Sequence, residues 1–115
     1  MKKNDTTHKP FSPDKIFAHP ERINSWLKTG SSKPITFELD ITNFCNNQCP
    51  GCFGFYKSLN HEIMKLEEIE RVLRQIAAFG GKAVTFTGGG EPLTHPHFLQ
   101  ALEFAKAQGL DIGLI

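Results

Sequence analysis

Cys45-Asn46-Asn47-Gln48-Cys49-Pro50-Gly51-Cys52 holds all three cysteines of the 115-residue chain within eight positions. The spacing i, i+4, i+7 would line one face of an α-helix. The residues between argue otherwise: Asn46, Asn47 and Gly51 are poor helix formers, and Pro50 lacks an amide donor and clashes with a preceding turn. The stretch reads as a loop that folds back on itself, so that three thiols can converge. A disulfide would pair two and strand the third. Structural zinc takes four protein ligands, and the fourth would have to be His61 or a more distant histidine, without zinc-finger spacing. An iron–sulfur cube usually takes four thiolates. Three leave one iron open, as a catalytic metal needs an open position to bind its ligand.

Upstream, Ile35 to Thr42 predicts a strand in which Ile35, Phe37, Leu39 and Ile41 alternate with Thr36, Glu38, Asp40 and Thr42. A strand followed by a helix suggests a parallel sheet with helices on its outer face. The apolar row should pack under those helices. The polar row would then face a lumen that holds a polar ligand, whereas in a half-exposed antiparallel strand it would simply face water. The cysteine loop at the C-terminal end of the strand favours the first arrangement, because ligands of parallel α/β folds sit at that end. Downstream, the apolar run Phe53-Gly54-Phe55-Tyr56 would either shield a cluster from water or pack as an ordinary loop. Leu66 to Phe79 predicts a helix with Leu66, Ile69, Val72, Leu73 and Ile76 as its apolar stripe. Glu67, Glu68 and Glu70 favour its first turns, and Gly80-Gly81 ends it. Ala83 to Thr87 predicts a second strand, which runs into Thr87-Gly88-Gly89-Gly90-Glu91-Pro92. No Gly-Lys-Ser/Thr follows, so this is not a Walker loop, and G-x-G-x-x-G is absent. A third helix is expected with Thr94 as N-cap, Pro96 in its first turn and Phe98, Leu99, Leu102 and Ala105 facing the core. His95 and His97 at its start suit surface or capping roles better than metal binding. Asp111 to Ile115 predicts a third strand.

At these residues the chain resembles the radical S-adenosylmethionine (radical SAM) enzymes. Their C-x3-C-x2-C signature is matched by Cys45, Cys49 and Cys52, and their Gly-Gly-Glu-Pro run by Gly89-Gly90-Glu91-Pro92, in the same order and about one βα unit apart. The resemblance covers roughly Pro34 to the end of the chain. It implies a parallel partial TIM-type (βα) barrel, reduced here to about βαβαβ, behind an N-terminal arm and short helix at 1–33. It implies a [4Fe–4S] cluster on Cys45, Cys49 and Cys52, with S-adenosylmethionine chelating the fourth iron. Gly88, Gly89, Gly90, Glu91 and Pro92 would meet its methionyl end, and Gly51 and Phe53 its adenine. One electron, from a flavodoxin- or ferredoxin-like donor, would cleave a carbon–sulfur bond to give methionine and a 5′-deoxyadenosyl radical, which takes a hydrogen from a substrate. The family usually carries an aromatic residue just before the third cysteine. Gly51 stands there, so contact with adenine would be by backbone, with Phe53 as a substitute. No general acid, base or nucleophile stands out beyond these cofactor ligands.

Composition narrows the alternatives. Thirteen basic and twelve acidic side chains give a net charge of +1, without the basic excess of a nucleic-acid binder or a polybasic membrane patch. No apolar run approaches the roughly 20 residues of a membrane span. Clustered free cysteines suit a reducing compartment, hence a cytoplasmic protein. Residues 1 to 20 read as an irregular arm, Glu21 to Lys28 as a short helix ended by Gly30, and Gly30 to Pro34 as a connector. Six βα units of the family would need ~180 residues, so the chain reads as the N-terminal portion of such a core. An exposed strand edge then predicts self-association or a completing chain. The competing readings are a non-enzymatic Cys3His zinc module and an inactive truncated remnant of a radical SAM protein.

Overall fold

The computed structural model describes residues 17–52 and 61–115. Two compact units divide the chain, Met1–Lys33 and Pro34–Ile115. The first contains helix α1, Pro20–Thr29. It starts one residue before the expected Glu21 because proline is tolerated at the first helical position, where its missing amide has no partner to lose. Its exit is fastened by the Gly30 amide, which donates to the Trp26 carbonyl at 2.8 Å, and by the Ser25 hydroxyl, which donates to the Ser31 carbonyl at 3.0 Å.

The second unit is α/β, with a three-stranded parallel sheet in the order β1-β2-β3. The strands are β1 (Thr36–Asp40), β2 (Ala83–Thr87) and β3 (Asp111–Leu114), with helices α2 (Leu66–Phe79) and α3 (Phe98–Ala107) between them. Phe37 pairs with Val84, Leu39 with Phe86, and Val84 in turn with Ile112. The apolar rows of the strands therefore lie in phase on one face. There Ile41, Val84 and Phe86 form a buried core with Ile69, Leu73 and Ile76 of α2 and Phe98, Ala101 and Ala105 of α3. Each large apolar side chain so enclosed contributes roughly 1.5–3 kcal/mol relative to exposure. Phe86 meets Phe98 edge to face, with ring centroids 5.6 Å apart. Arg74 of α2 lies over the Phe104 ring of α3 at 5.1 Å, a cation–π contact that joins the two helices on their outer side.

The opposite face of the sheet carries Thr36, Glu38 and Asp40, then Ala83, Thr85 and Thr87, then Asp111 and Gly113, as the strand register requires. It is polar or small throughout, and no helix among the described residues of this unit covers it. The apolar row of the first strand does lie under the helices, as its alternation predicts.

Three sequence expectations are corrected around α3. Thr94 is not its N-cap: it ends a separate 3-10 turn, Pro92–Thr94, and the N-cap position is taken by His97 without a side-chain bond. Pro96 precedes the helix, because the Pro92 turn delays its start. With the start at Phe98, the buried positions are 98, 101 and 105, so Ala101 faces inward and Leu99 is 69% exposed. The first strand is also shorter than Ile35–Thr42. After Asp40 the chain leaves the sheet, and Thr42 forms an antiparallel bridge with Ile63 instead.

Candidate functional site

The loop with the three cysteines springs from the C-terminal end of β1, and its feet are fastened together. The Met64 amide donates to the Ile41 carbonyl at 2.9 Å and the Asn43 amide to the Glu62 carbonyl at 3.0 Å. The Asn43 side-chain oxygen accepts from the Glu62 amide at 2.6 Å. Thr42 Oγ1 accepts from the Phe44 amide at 3.0 Å. Asn and Thr are well suited to this because their short polar side chains satisfy backbone groups where a ladder ends.

Within the loop, the Cys52 amide donates to the Cys49 carbonyl at 3.2 Å, and Gly51 has φ +75°. Proline at the second position and a positive φ at the third are the pattern of a type II turn. An L-side chain at position 51 would be strained there, which accounts physically for a glycine in this turn. The Asn47 amide points at Cys45 Sγ, 3.4 Å away. Amide hydrogen bonds to sulfur are among the contacts that tune a thiolate bound to iron. Cys45 and Cys52 are half-buried, Cys49 is exposed, and none of the three is in a disulfide. The structure thus brings the three thiols onto one loop. Among the described residues, however, no three His, Cys, Asp or Glu side chains are gathered closely enough to hold a metal ion. Phe53 and the rest of the Phe53-Gly54-Phe55-Tyr56 run lie outside the described residues. His61, the candidate fourth zinc ligand, is exposed, and its ring lies against that of Phe44 at 5.2 Å.

The Gly88–Pro92 run leaves β2 beside this loop. The Glu91 amide donates to the Phe44 carbonyl at 2.9 Å, and the Thr94 hydroxyl faces the same oxygen at 3.3 Å, although it sits closer, at 2.7 Å, to the Glu91 carbonyl. Gly90 is pressed against the Phe44 carbonyl, so that an added Cβ would fall on its oxygen and within 2.8 Å of its carbon. The Glu91 carboxylate caps its own turn, with Oε1 accepting from the Leu93 amide at 3.1 Å. Pro92, the last residue of the run, is buried. On the far side, Asp40 Oδ2 accepts from the Gly89 amide at 3.3 Å. An open groove of about 330 Å³ runs here, lined by Asp40, Thr42, Asn43, Glu62, Met64 and Gly89 among others, near the lower end of the range for small-molecule sites.

Sequence reasoning missed the anchors. Asp40 stood only as part of a polar row, and nothing singled out Asn43. His95 was expected at the surface or as a cap, but it is 3% exposed. Its Nε2 lies 2.8 Å from the Met64 carbonyl, and its Nδ1 accepts from the His97 amide at 3.1 Å. The amide bond fixes Nδ1 as acceptor and leaves Nε2 as the donor.

A family model described as the radical SAM superfamily matches residues 39–115, the span from the penultimate residues of β1 through both motifs to the end of the chain. The chain belongs to the radical SAM superfamily. Among curated proteins it is similar to a GTP 3′,8-cyclase of Alkaliphilus metalliredigens (strain QYMF), 43% identical over 58 residues, 48% of this chain and 18% of that protein. It is also similar to an S-adenosylmethionine-dependent nucleotide dehydratase of Danio rerio, 32% identical over 92 residues, 76% of this chain and 25% of that protein. A third relative is a 7,8-didemethyl-8-hydroxy-5-deazariboflavin synthase of Methanococcus maripaludis (strain C5 / ATCC BAA-1333), 30% identical over 73 residues, 60% of this chain and 20% of that protein. The chain therefore spans a quarter or less of the length of these relatives. The names of these relatives describe different reactions. No helix among the described residues is long and apolar enough to cross a membrane.

Proposed function

We propose that this chain is the cofactor-binding portion of a radical SAM enzyme. Cys45, Cys49 and Cys52 would hold a [4Fe–4S] cluster, and Gly88–Pro92 would receive the methionyl end of S-adenosylmethionine. Bound together, cluster and S-adenosylmethionine would supply one-electron reductive chemistry at a carbon–sulfur bond, with the electron from an external donor and methionine as the group released. The observation that carries this reading is the bond from the Glu91 amide to the Phe44 carbonyl. It joins the residue before Cys45 to the middle of the Gly-Glu-Pro run, so a ligand held by one lies beside the other. The donor chemistry fits: three thiols outside any disulfide and an amide aimed at one sulfur.

The protein's own contribution is to orient and enclose. Backbone at Gly88–Gly90 has no side chains to block close approach of a ligand. The acidic groove beside Asp40 and Glu62 suits a cationic amino group. Further strands beyond β3 would complete a partial barrel and turn the polar face of the sheet into its lumen. An external one-electron donor is required, and three reduced thiols suit the cytoplasm.

Anaerobic reconstitution with iron and sulfide tests the assignment. The wild-type protein should be brown, bind iron and sulfide, and change its reduced paramagnetic spectrum when S-adenosylmethionine is added. Cys45→Ala, Cys49→Ala and Cys52→Ala should each lose the cluster, and His61→Ala should keep it. A colourless protein with one zinc, lost on His61→Ala, would instead make this a zinc module.

A further inference from the structure

The Gly-rich run does more than face a ligand. We propose that Gly90 is a positioning residue for the cysteine loop, so that a residue in the run expected to bind S-adenosylmethionine governs how firmly the three thiols hold their metal. The inference rests on the reading that those thiols carry an iron–sulfur cluster.

Phe44 is one peptide bond from Cys45 and is held at three points. Its amide donates to Thr42 Oγ1, its ring lies on His61, and its carbonyl accepts from the Glu91 amide. The last contact requires the two backbones to approach so closely that no Cβ fits at position 90. An added carbon would sit on the Phe44 carbonyl oxygen, 2.7 Å from the carbonyl carbon of Asn43 and 2.8 Å from that of Phe44. These are backbone atoms, which cannot swing aside as the end of a side chain could. A methyl group at position 90 must therefore push the Phe44 carbonyl away, and the start of the cysteine loop moves with it. Gly89 is different: the nearest atom to an added Cβ there is Asn43 Cβ at 3.7 Å, an ordinary contact. Adjacent glycines in one motif thus have separable roles, one open to a ligand and one pressed against the loop. Coupling of this kind is reciprocal, so closing the loop around a metal should in turn hold the Glu91 amide in its bond.

The full-length protein, reconstituted anaerobically with iron and sulfide, provides the test. Cluster loss to an iron chelator is followed by visible absorption for wild type, Gly89→Ala and Gly90→Ala. Gly90→Ala should lose its cluster about tenfold faster than wild type, the effect of one displaced hydrogen-bond acceptor with its neighbours, while Gly89→Ala stays within about twofold. The reduced cluster of Gly90→Ala should also give a shifted paramagnetic spectrum, which a mere loss of global stability would not produce. A second measurement needs no variant. Amide hydrogen exchange, read by mass spectrometry on the peptide that contains Glu91, should slow when wild type passes from apo to cluster-loaded. If Gly90→Ala does not fold, that measurement decides. A wild type that binds no iron and sulfide overturns the functional reading and this proposal with it. A cluster-loaded wild type whose Glu91 exchange is unchanged, or a Gly90→Ala protein that matches Gly89→Ala, overturns this proposal alone.

Discussion

The Asp40 carboxylate accepts a hydrogen bond from the Gly89 amide, Oδ2 to N 3.3 Å. The last residue of β1 thereby holds the middle glycine of a turn that begins only after β2. If the acceptor is what matters, Asp40→Asn keeps it and Asp40→Ala removes it. Titration of the cluster-loaded protein with S-adenosylmethionine should show Asp40→Asn close to wild type and Asp40→Ala weaker by about threefold to fivefold, the worth of one exposed hydrogen bond. Equal losses in the two variants would assign Asp40 a charge role toward the ligand. The iron content should not change in either.

Glu91 separates in the same manner. Its Oε1 caps the 3-10 turn through the Leu93 amide, and a cap of this type is worth about 0.5–2 kcal/mol. Glu91→Gln should retain the cap and the thermal midpoint, whereas Glu91→Ala should lower both stability and S-adenosylmethionine affinity with the cluster's absorption intact. A Glu91→Gln protein that keeps its midpoint but loses affinity would show that the carboxylate charge also meets the ligand. Unchanged affinity in both variants would remove the side chain from the site.

His95 links the returning segment at Met64 to the start of α3. Replacement by leucine leaves the Met64 carbonyl and the His97 amide without partners, at a cost of roughly 2 kcal/mol. For a unit of this size that corresponds to a fall in Tm of roughly 8–16 °C. His97 is exposed, and His97→Ala should alter stability by less than about 0.5 kcal/mol. Differential scanning calorimetry of the two variants gives the comparison, and a His95→Leu protein as stable as wild type would mean that water replaces both lost bonds.

Legibility in the sequence followed the range of the interactions. The α2 helix runs over Leu66–Phe79 and the β2 strand over Ala83–Thr87, as periodicity predicts, because each is specified by an uninterrupted apolar pattern with its own stop signal. The cysteine loop was legible because its composition excludes a helix. Thr94, Pro96 and Leu99 were misjudged because the phase of α3 depends on a 3-10 turn capped by Glu91, which no 3.6-residue period reveals. His95 resembled a surface residue because its partner, Met64, lies 31 positions upstream. The close contact of Gly90 with Phe44 was hidden for the same reason: glycine next to glycine gives no sign of which one is crowded until the fold brings a distant backbone against it.

The chain order of the two halves of the site has a consequence during synthesis. Cys45, Cys49 and Cys52 precede Gly90 by a whole helix and strand. At roughly 5–20 residues per second, the thiols leave the ribosome some seconds before the backbone that braces Phe44 follows them out. The nascent loop must pass that interval as a bare trithiol segment, open to oxidants and stray metals, and takes its final shape only when β2 has docked beside β1. If the thiols take up iron and sulfide, as proposed, their delivery is a matter of translation as well as of affinity, and slowing elongation between Leu66 and Gly90 should lengthen the window in which the wrong occupant can enter.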